Sequence, residues 1–256
     1  MAAIGAVLFV IGLSGLFGFV VLPLARQHED VGPLGAIERA LGLPVTLPPS
    51  AQPELVAEAP ASKLAWGVET LALIDAGDPE RGRIVAEPCA ACHGQTGISE
   101  VPQNPNLAAQ DRAALFKQLY DFRAGSRVNE IMSPFAQPLS DTEIADVAAY
   151  FAAQSGPPPP SAFWPPRGPV ADLVERGDPA RSLPACTTCH GAGEGAGAPL
   201  GTPILAGQHP EYVATQLRLF ASGQRASDIY GRMRVIAAKL TEPEIDAIAK
   251  YYATAR

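Results

Sequence analysis

The segments Cys89-Ala90-Ala91-Cys92-His93 and Cys186-Thr187-Thr188-Cys189-His190 share the pattern C-x-x-C-H. This spacing is typical of the site where a c-type haem is attached covalently. Two cysteines one helical turn apart can form thioethers with the two vinyl groups of one porphyrin, and the adjacent histidine reaches the iron as its proximal ligand. All four cysteines of the chain lie in these two motifs. The sequence therefore predicts two covalently bound haem c groups, held by Cys89, Cys92, His93, Cys186, Cys189 and His190.

Two other uses of paired cysteines fit the chain less well. A thioredoxin-like redox site lies near a βαβ pattern, and the sequence shows no such pattern. A zinc site built from two C-x-x-C pairs usually has about 12–20 residues between the pairs. Here the length of a whole domain separates them. Neither site needs a histidine directly after each pair, so haem attachment is the favoured interpretation.

Composition and charge limit the class of protein. The chain has 256 residues, which favours two domains, and it is rich in glycine (24) and proline (26) but poor in aromatic residues (7%). A covalently held haem would supply an apolar centre to each small domain. The net charge of −7 argues against nucleic acid as a partner and favours redox proteins with a basic docking face.

Residues 1–25 contain no charged side chain, and the apolar run from Ile4 to Leu22 is long enough to cross a hydrocarbon core of about 30 Å. A cleaved signal peptide is the alternative, but it needs a basic start, a shorter apolar core and a small-x-small cleavage site. We therefore predict a retained single transmembrane helix in the bacterial inner membrane, with the haem domains in the periplasm. The pattern Ser14-x-x-x-Gly18 permits close packing against partner helices.

Proline-rich stretches divide the rest of the chain. Residues 26–62 form a predicted tether, and residues 156–169 form a predicted linker, because closely spaced prolines favour extended chain over regular structure. The first haem domain is predicted at 63–155 and the second at 170–256. Residues 63–76 are predicted to form a helix that leads into the first domain, with Trp66 packed inside.

From Gly77 onward the sequence repeats itself. Gly77-Asp78-Pro79 and Gly177-Asp178-Pro179 each place a capping aspartate before a proline, which predicts the start of a helix. Ser140-x-x-Glu143 and Thr241-x-x-Glu244 are capping boxes that open terminal helices with apolar residues at helical spacing. No strand-like alternation competes with these patterns. The repeat predicts an all-α protein with two tandem haem domains behind the transmembrane helix.

One methionine lies in each repeat. Met132 and Met233 both fall in the loop between the middle and last predicted helices of their repeat. A thioether is the usual sixth ligand of a low-spin haem iron and raises its potential. Filling of gaps in a core is the alternative role of methionine, but the matched positions favour ligation. We predict that His93 and Met132 hold one iron and that His190 and Met233 hold the other.

Two further pairs of residues are candidates for contacts to the haem groups. A carbonyl oxygen at Pro105 or Pro203 can accept the ring N–H of the proximal histidine and fix its orientation. Arg127 and Arg225 occupy matched positions and are candidate partners of the haem propionates, with a solvated surface arginine as the alternative.

From about Gly77 to the C-terminus the chain resembles the dihaem cytochrome c4 family. The resemblance rests on both C-x-x-C-H-G sites, the Pro-x-Leu-Ala-x-Gln segments at 105–110 and 203–208, the Gln-Leu-x-x-Phe-x-x-Gly-x-Arg helices, and the two methionine loops. It implies two class I cytochrome c folds packed pseudo-symmetrically, with electron transfer in the periplasm, often toward a terminal oxidase. The chain departs from the repeat at Ala109, where the second copy has Gly207. The anchor and the tether are not features of soluble members.

These patterns favour a membrane-tethered electron-transfer protein over an enzyme. With histidine and methionine on both irons, neither haem has an open position for substrate. The chain is either a fixed subunit of a respiratory or photosynthetic complex or a tethered shuttle. A dihaem peroxidase or thiosulfate dehydrogenase is the enzymatic alternative, and it would require a ligand other than methionine at one haem. A dihaem subunit of a haem–copper oxidase is a third possibility.

Overall fold

The computed structural model describes residues 61–157, 168–191 and 200–254. Within these ranges no helix is both long enough and apolar enough to cross a membrane. The predicted anchor (1–25), nearly all of the tether (26–62) and most of the linker (156–169) lie outside the described residues. The described parts are helical and contain one isolated bridge, between Asp178 and Leu183, but no named strand.

The first half contains six α-helices. They are α1 (Val68–Asp75), α2 (Pro79–Val85), α3 (Ala90–His93), α4 (Arg112–Arg123), α5 (Met132–Ala136) and α6 (Asp141–Ala152), with a 3-10 turn at Glu87–Cys89. Helix α6 is the centre of this half, because α1, α2 and α4 all pack on it. Its buried face includes Ile144, Val147, Ala148 and Phe151. Hydrophobic burial along this face holds the half together.

The described residues of the second half form five α-helices. They are α7 (Pro169–Arg176), α8 (Thr187–His190), α9 (Pro210–Ala221), α10 (Arg232–Ala237) and α11 (Glu242–Thr254), with 3-10 turns at Pro179–Arg181 and Ile229–Gly231. Helix α11 has the role of α6, since α7 and α9 pack on it. Ile245, Ile248 and Tyr252 form its buried face. The predicted all-α fold is therefore confirmed for the described residues.

Both terminal helices begin at the predicted capping boxes. In the first half the Ser140 hydroxyl accepts from Glu143 N, and the Glu143 carboxylate accepts from Ser140 N. Thr241 and Glu244 exchange the same two hydrogen bonds in the second half. Each box satisfies backbone donors that the first turn of a helix leaves without partners.

Two sequence-based helix predictions are wrong in detail. The helix predicted over 63–76 begins only at Val68, after Gly67, and Leu64 and Trp66 pack against the first core from the irregular segment before it. Asp178 caps a three-residue 3-10 turn rather than a helix.

Two residues explain the short turn. Pro184 has no N–H to continue a helix and restricts the residue before it. Ser182 occupies the position equivalent to Gly82 in the first half. A Cβ atom at Gly82 would lie only 1.9 Å from the carbonyl oxygen of Asp146. Helix α2 can approach α6 this closely only because residue 82 is glycine.

The two halves exchange matched hydrogen bonds. The Gln110 side chain binds the backbone of Ile204 through both its oxygen (2.6 Å) and its nitrogen (2.9 Å). In the opposite direction, Gln208 accepts from Asn106 N (3.0 Å) and donates to Asn106 O (2.5 Å). Gln110 and Gln208 are equivalent in the repeat, so the interface has approximate two-fold symmetry, like that of a homodimer.

Candidate functional site

Helices α3 and α8 bring each pair of cysteines and its histidine into a single turn. Each helix begins one residue after the first cysteine and ends at the histidine, followed by Gly94 or Gly191. None of the four cysteines forms a disulfide, so each sulfur is available for a thioether bond to a haem. Cys89 packs against the first core and Cys186 against the second. Burial raises the pKa of Cys89 above its ordinary value and raises that of Cys186 to about 11.

The two histidine rings are fixed in the same way. His93 Nδ1 lies 2.9 Å from the carbonyl oxygen of Pro105, and His190 Nδ1 lies 2.8 Å from that of Pro203. Both rings are buried, which lowers the pKa of each histidine despite the opposing effect of the carbonyl. A neutral ring that donates from Nδ1 leaves the lone pair on Nε2, and this is the atom and the protonation state that a metal needs.

The methionines lie on short helices rather than in loops. Met132 is the first residue of α5, and Met233 is the second residue of α10. Both side chains are half-buried, and Met233 packs against the second core. The Asn129 side chain accepts from Ile131 N and Met132 N and so fixes the start of α5. The assignment of Met132 and Met233 as iron ligands stays a prediction.

Arg127 and Arg225 lie at the interface between the halves, so the alternative of a solvated surface position is wrong for both. Arg127 donates to Gln118 Oε1 (2.7 Å) in its own half and to Gln216 Oε1 (2.9 Å) in the other. Arg225 donates to Gln216 Oε1 (2.7 Å) and to Gln118 Oε1 (2.9 Å). Each guanidinium therefore joins two neutral amides across the two-fold axis.

This arrangement fits an anionic group. Burial, together with the charge of Arg127, lowers the pKa of Arg225 to about 9. The Nε atom of Arg225 is buried and has no hydrogen-bond partner among the described residues. A buried donor without a partner costs free energy, and a carboxylate such as a haem propionate would supply both the acceptor and the missing negative charge. The residues present therefore fit a bound haem, and contact of Arg127 and Arg225 with propionates stays a prediction.

Sequence reasoning did not identify the glutamines as functional residues. Gln118 and Gln216 hold the two arginines, while Gln110 and Gln208 bind the backbone near Pro203 and Pro105. A signal was available, since each glutamine recurs at the same place in both repeats. His209, which has no predicted ligand role, lies with Nε2 2.9 Å from Ser99 O across the interface.

Comparisons with known proteins agree with this geometry. Residues 78–151 match the family model described as "Cytochrome C oxidase, cbb3-type, subunit III". Cytochrome c4 of Thiocapsa roseopersicina is 43% identical over 178 residues, which is 68% of this chain and 91% of that protein. The thiosulfate dehydrogenase electron acceptor of Stutzerimonas stutzeri is 39% identical over 169 residues, or 64% of this chain and 77% of that protein.

A solved structure extends the likeness to the fold. The crystal structure of reduced recombinant cytochrome c4 from Pseudomonas stutzeri is 35% identical in sequence and superposes with a TM-score of 0.62. The match covers 71% of this chain and 100% of that one. Repeated C-x-x-C-H helices, histidines held by proline carbonyls and a two-fold interface thus occur in a chain that aligns with complete dihaem cytochromes. This chain belongs to the cytochrome c4 family of electron-transfer proteins, which carry two covalently attached haem c groups.

Proposed function

We propose that this chain is a membrane-anchored member of the family that carries electrons on the periplasmic face of the bacterial inner membrane and has no turnover of its own. The observation that carries the proposal is the repetition of the site. Each half presents a buried histidine held through Nδ1 by a proline carbonyl, and each half contains one methionine. Two equivalent sites of this kind favour electron transfer over substrate binding at one special haem.

The bound haem supplies reversible one-electron chemistry at its iron. The chain supplies the rest. The carbonyl oxygens of Pro105 and Pro203 orient the histidine rings, and Met132 and Met233 provide the thioethers. Arg127 and Arg225 bring positive charge to the interface between the two sites. The paired glutamines hold the halves in one arrangement, so the distance between the sites varies little and electrons can pass between them.

The proposed partners are an electron donor in the membrane or periplasm and an acceptor such as a terminal oxidase. The likeness of residues 78–151 to an oxidase subunit family supports an oxidase as acceptor. The likeness to a thiosulfate dehydrogenase electron acceptor supports a periplasmic dehydrogenase as donor. The apolar run in 1–25 supports an anchor that packs against helices of a larger complex.

The ligand assignment can be tested with Met132→Ala and Met233→Ala in the holoprotein. Each variant should lose part of the far-red absorption band of the ferric iron–methionine bond, and the affected haem should fall in potential by on the order of 0.1 V or more, within the roughly 0.8 V that axial ligands span. The exposed neighbours Ile131 and Val235 provide matched controls, since alanine at either position should leave the spectrum unchanged.

The enzymatic alternative predicts a different result. In a dihaem peroxidase or thiosulfate dehydrogenase, one haem of the wild-type protein would lack the methionine band, and the protein would turn over peroxide or thiosulfate. Observation of both would contradict the proposal. Purification in mild detergent tests the third possibility, because a dihaem subunit of a haem–copper oxidase would copurify in fixed ratio with the oxidase's other subunits.

A further inference from the structure

The surface beside Met233 carries an unusual tyrosine. Tyr230 is 89% exposed and lies in the left-handed region, with φ 56° and ψ 24°. A bulky residue in this conformation is a genuine outlier, and its backbone strain costs free energy. The side chain gains little from burial in return. Strain of this kind persists where surrounding structure enforces it, and it is common at functional sites.

An arginine lies beside this tyrosine. The guanidinium of Arg232 stands 5.6 Å from the centre of the Tyr230 ring, within range of a cation–π interaction. Val235, which lies in helix α10 with Arg232, is 58% exposed. We define Tyr230, Arg232 and Val235 as the aromatic–basic patch. Its members lie within three residues of Met233, so the chain places them within about 11 Å of that residue.

Local charge differs from the charge of the whole protein. Residues 223–240 contain Arg225, Arg232, Arg234 and Lys239 but one acid, Asp228, although the chain carries −7 overall. Arg234 pairs with Asp228 (2.9 Å), Arg225 faces the interface between the halves, and Lys239 donates to the carbonyl oxygen of Ser182 (3.2 Å). Arg232 is therefore the cation that the aromatic–basic patch presents to solvent.

The equivalent surface of the first half has the opposite character. Val128, Ile131 and Phe135 are exposed around Met132, and Glu130 is the charged side chain among them. Residues 128–139 contain no lysine or arginine. The two methionine segments thus present different chemistry to a partner, although the histidine–proline contacts of the two halves match.

We propose that the aromatic–basic patch is the docking surface for a redox partner whose own face has carboxylates around a small apolar area. The inference rests on the proposed electron-transfer function and assigns this partner to the second half. Tyrosine and arginine are, with tryptophan, the residues enriched among those that dominate binding energy at protein interfaces. Opposite charge on the partner steers encounter and raises the association rate. The net charge of the chain predicts a partner with a basic docking face, and this surface has the opposite preference.

The test measures reduction of the ferric holoprotein by a reduced probe protein in a stopped-flow instrument. The probe is an acidic plant-type [2Fe–2S] ferredoxin. For wild type the ferredoxin rate should fall as salt is added, because screening weakens the attraction. Arg232→Glu should lower the ferredoxin rate about tenfold or more at low salt and have little effect at high salt.

A second variant separates docking from folding. Tyr230→Gly removes the aromatic ring and also relieves the left-handed strain, so the protein should be at least as resistant to denaturant as wild type while the ferredoxin rate drops several-fold. Tyr230→Phe keeps the ring and should retain most of the rate. Glu130→Gln and Phe135→Ala, in the matched surface of the first half, should leave the ferredoxin rate unchanged.

The outcomes are distinct. If ferredoxin reduced Arg232→Glu and Tyr230→Gly as fast as wild type at every salt concentration, the proposed docking surface would be overturned. Equal losses from the first-half variants would also overturn it. Reduction of each variant by dithionite, together with its ferric methionine band, reports on the haem sites themselves. If dithionite did not reduce the wild-type protein, or if its ferric methionine band were absent, the electron-transfer function itself would be overturned. The two failures therefore cannot be confused.

Discussion

The two halves of this molecule share a set of matched hydrogen bonds where they face each other and differ more elsewhere. Across the interface Gln110 and Gln208 make equivalent hydrogen bonds, and so do Arg127 and Arg225. Away from the interface, the first half has helix α2 where the second has a 3-10 turn, and the surfaces around the two methionines differ in charge. Each half is therefore constrained where it contacts the other half and can vary elsewhere.

The largest expected effect is at the helix that the second half lacks. In Gly82→Ala the new Cβ atom would lie 1.9 Å from the Asp146 carbonyl oxygen, so α2 must move away from α6. Overpacking against backbone should cost about 3 kcal/mol or more of unfolding free energy. Denaturant titration of the holoprotein measures it. A loss below about 1 kcal/mol would contradict the close approach of α2 and α6.

The next effect tests the symmetry of the interface. Gln208→Ala leaves the N–H and C=O of buried Asn106 without partners and should cost about 2–4 kcal/mol. Gln110→Ala does the same to Ile204, which is half-buried, so water can replace part of the loss and about 1–2 kcal/mol is expected. Denaturant titration of both variants should show this order, and the reverse order would contradict it.

A smaller effect depends on pH. Hydrogen bonds from Arg181 and from Thr241 N lower the pKa of Glu244 to about 2. A lowered pKa means that this carboxylate stabilises the fold fully above its ordinary value of about 4.5 and loses that contribution as pH falls through about 2. Glu244→Gln should therefore raise the unfolding equilibrium constant a few-fold at pH 7, and the difference from wild type should shrink in acid.

The first half makes the same ion pair with a different acid. Arg81, which matches Arg181, binds Asp146, whose side chain is 3% exposed. Burial opposes ionisation of Asp146, but hydrogen bonds from Arg81 and from Asp78 N hold its pKa below the ordinary value. Asp146→Asn should cost more than Glu244→Gln at pH 7, roughly tenfold in the unfolding equilibrium, with the loss again disappearing in acid. A pH-independent loss in either variant would mean that packing, not charge, holds these positions.

The smallest expected effect is a reciprocal exchange. Ala109 has φ 56° and its counterpart Gly207 has φ 74°; their N–H groups donate to Phe151 O and Tyr252 O. Ala109→Gly relieves left-handed strain at some cost in chain entropy and should stabilise the protein by about 0.5 kcal/mol, while Gly207→Ala should destabilise it by a similar amount. Thermal melting of the two variants should move in opposite directions. Shifts of the same sign would contradict the strain at residue 109.

Local spacing was enough to predict much of the fold and site. Capping boxes and the helical periodicity of α6 and α11 depend on residues a few places apart, and Pro105 and Pro203 lie 12 and 13 residues after their histidines. The structure contains each of these local arrangements. The interface depends on residues about 100 positions apart, such as Gln208 and Asn106. The repeat places these glutamines at matched positions, but no local pattern shows which partner a glutamine in the interface will bind.

The two-fold exchange of hydrogen bonds has a consequence for recognition. If two separate identical chains made this interface, every substitution on one outer surface would also occur on the other, and both ends of the assembly would attract the same protein. A single polypeptide that carries both copies escapes that rule. It can keep matched glutamines and arginines inside while one end becomes basic and the other does not, and a carrier with unlike ends can distinguish the protein that loads it from the protein that unloads it.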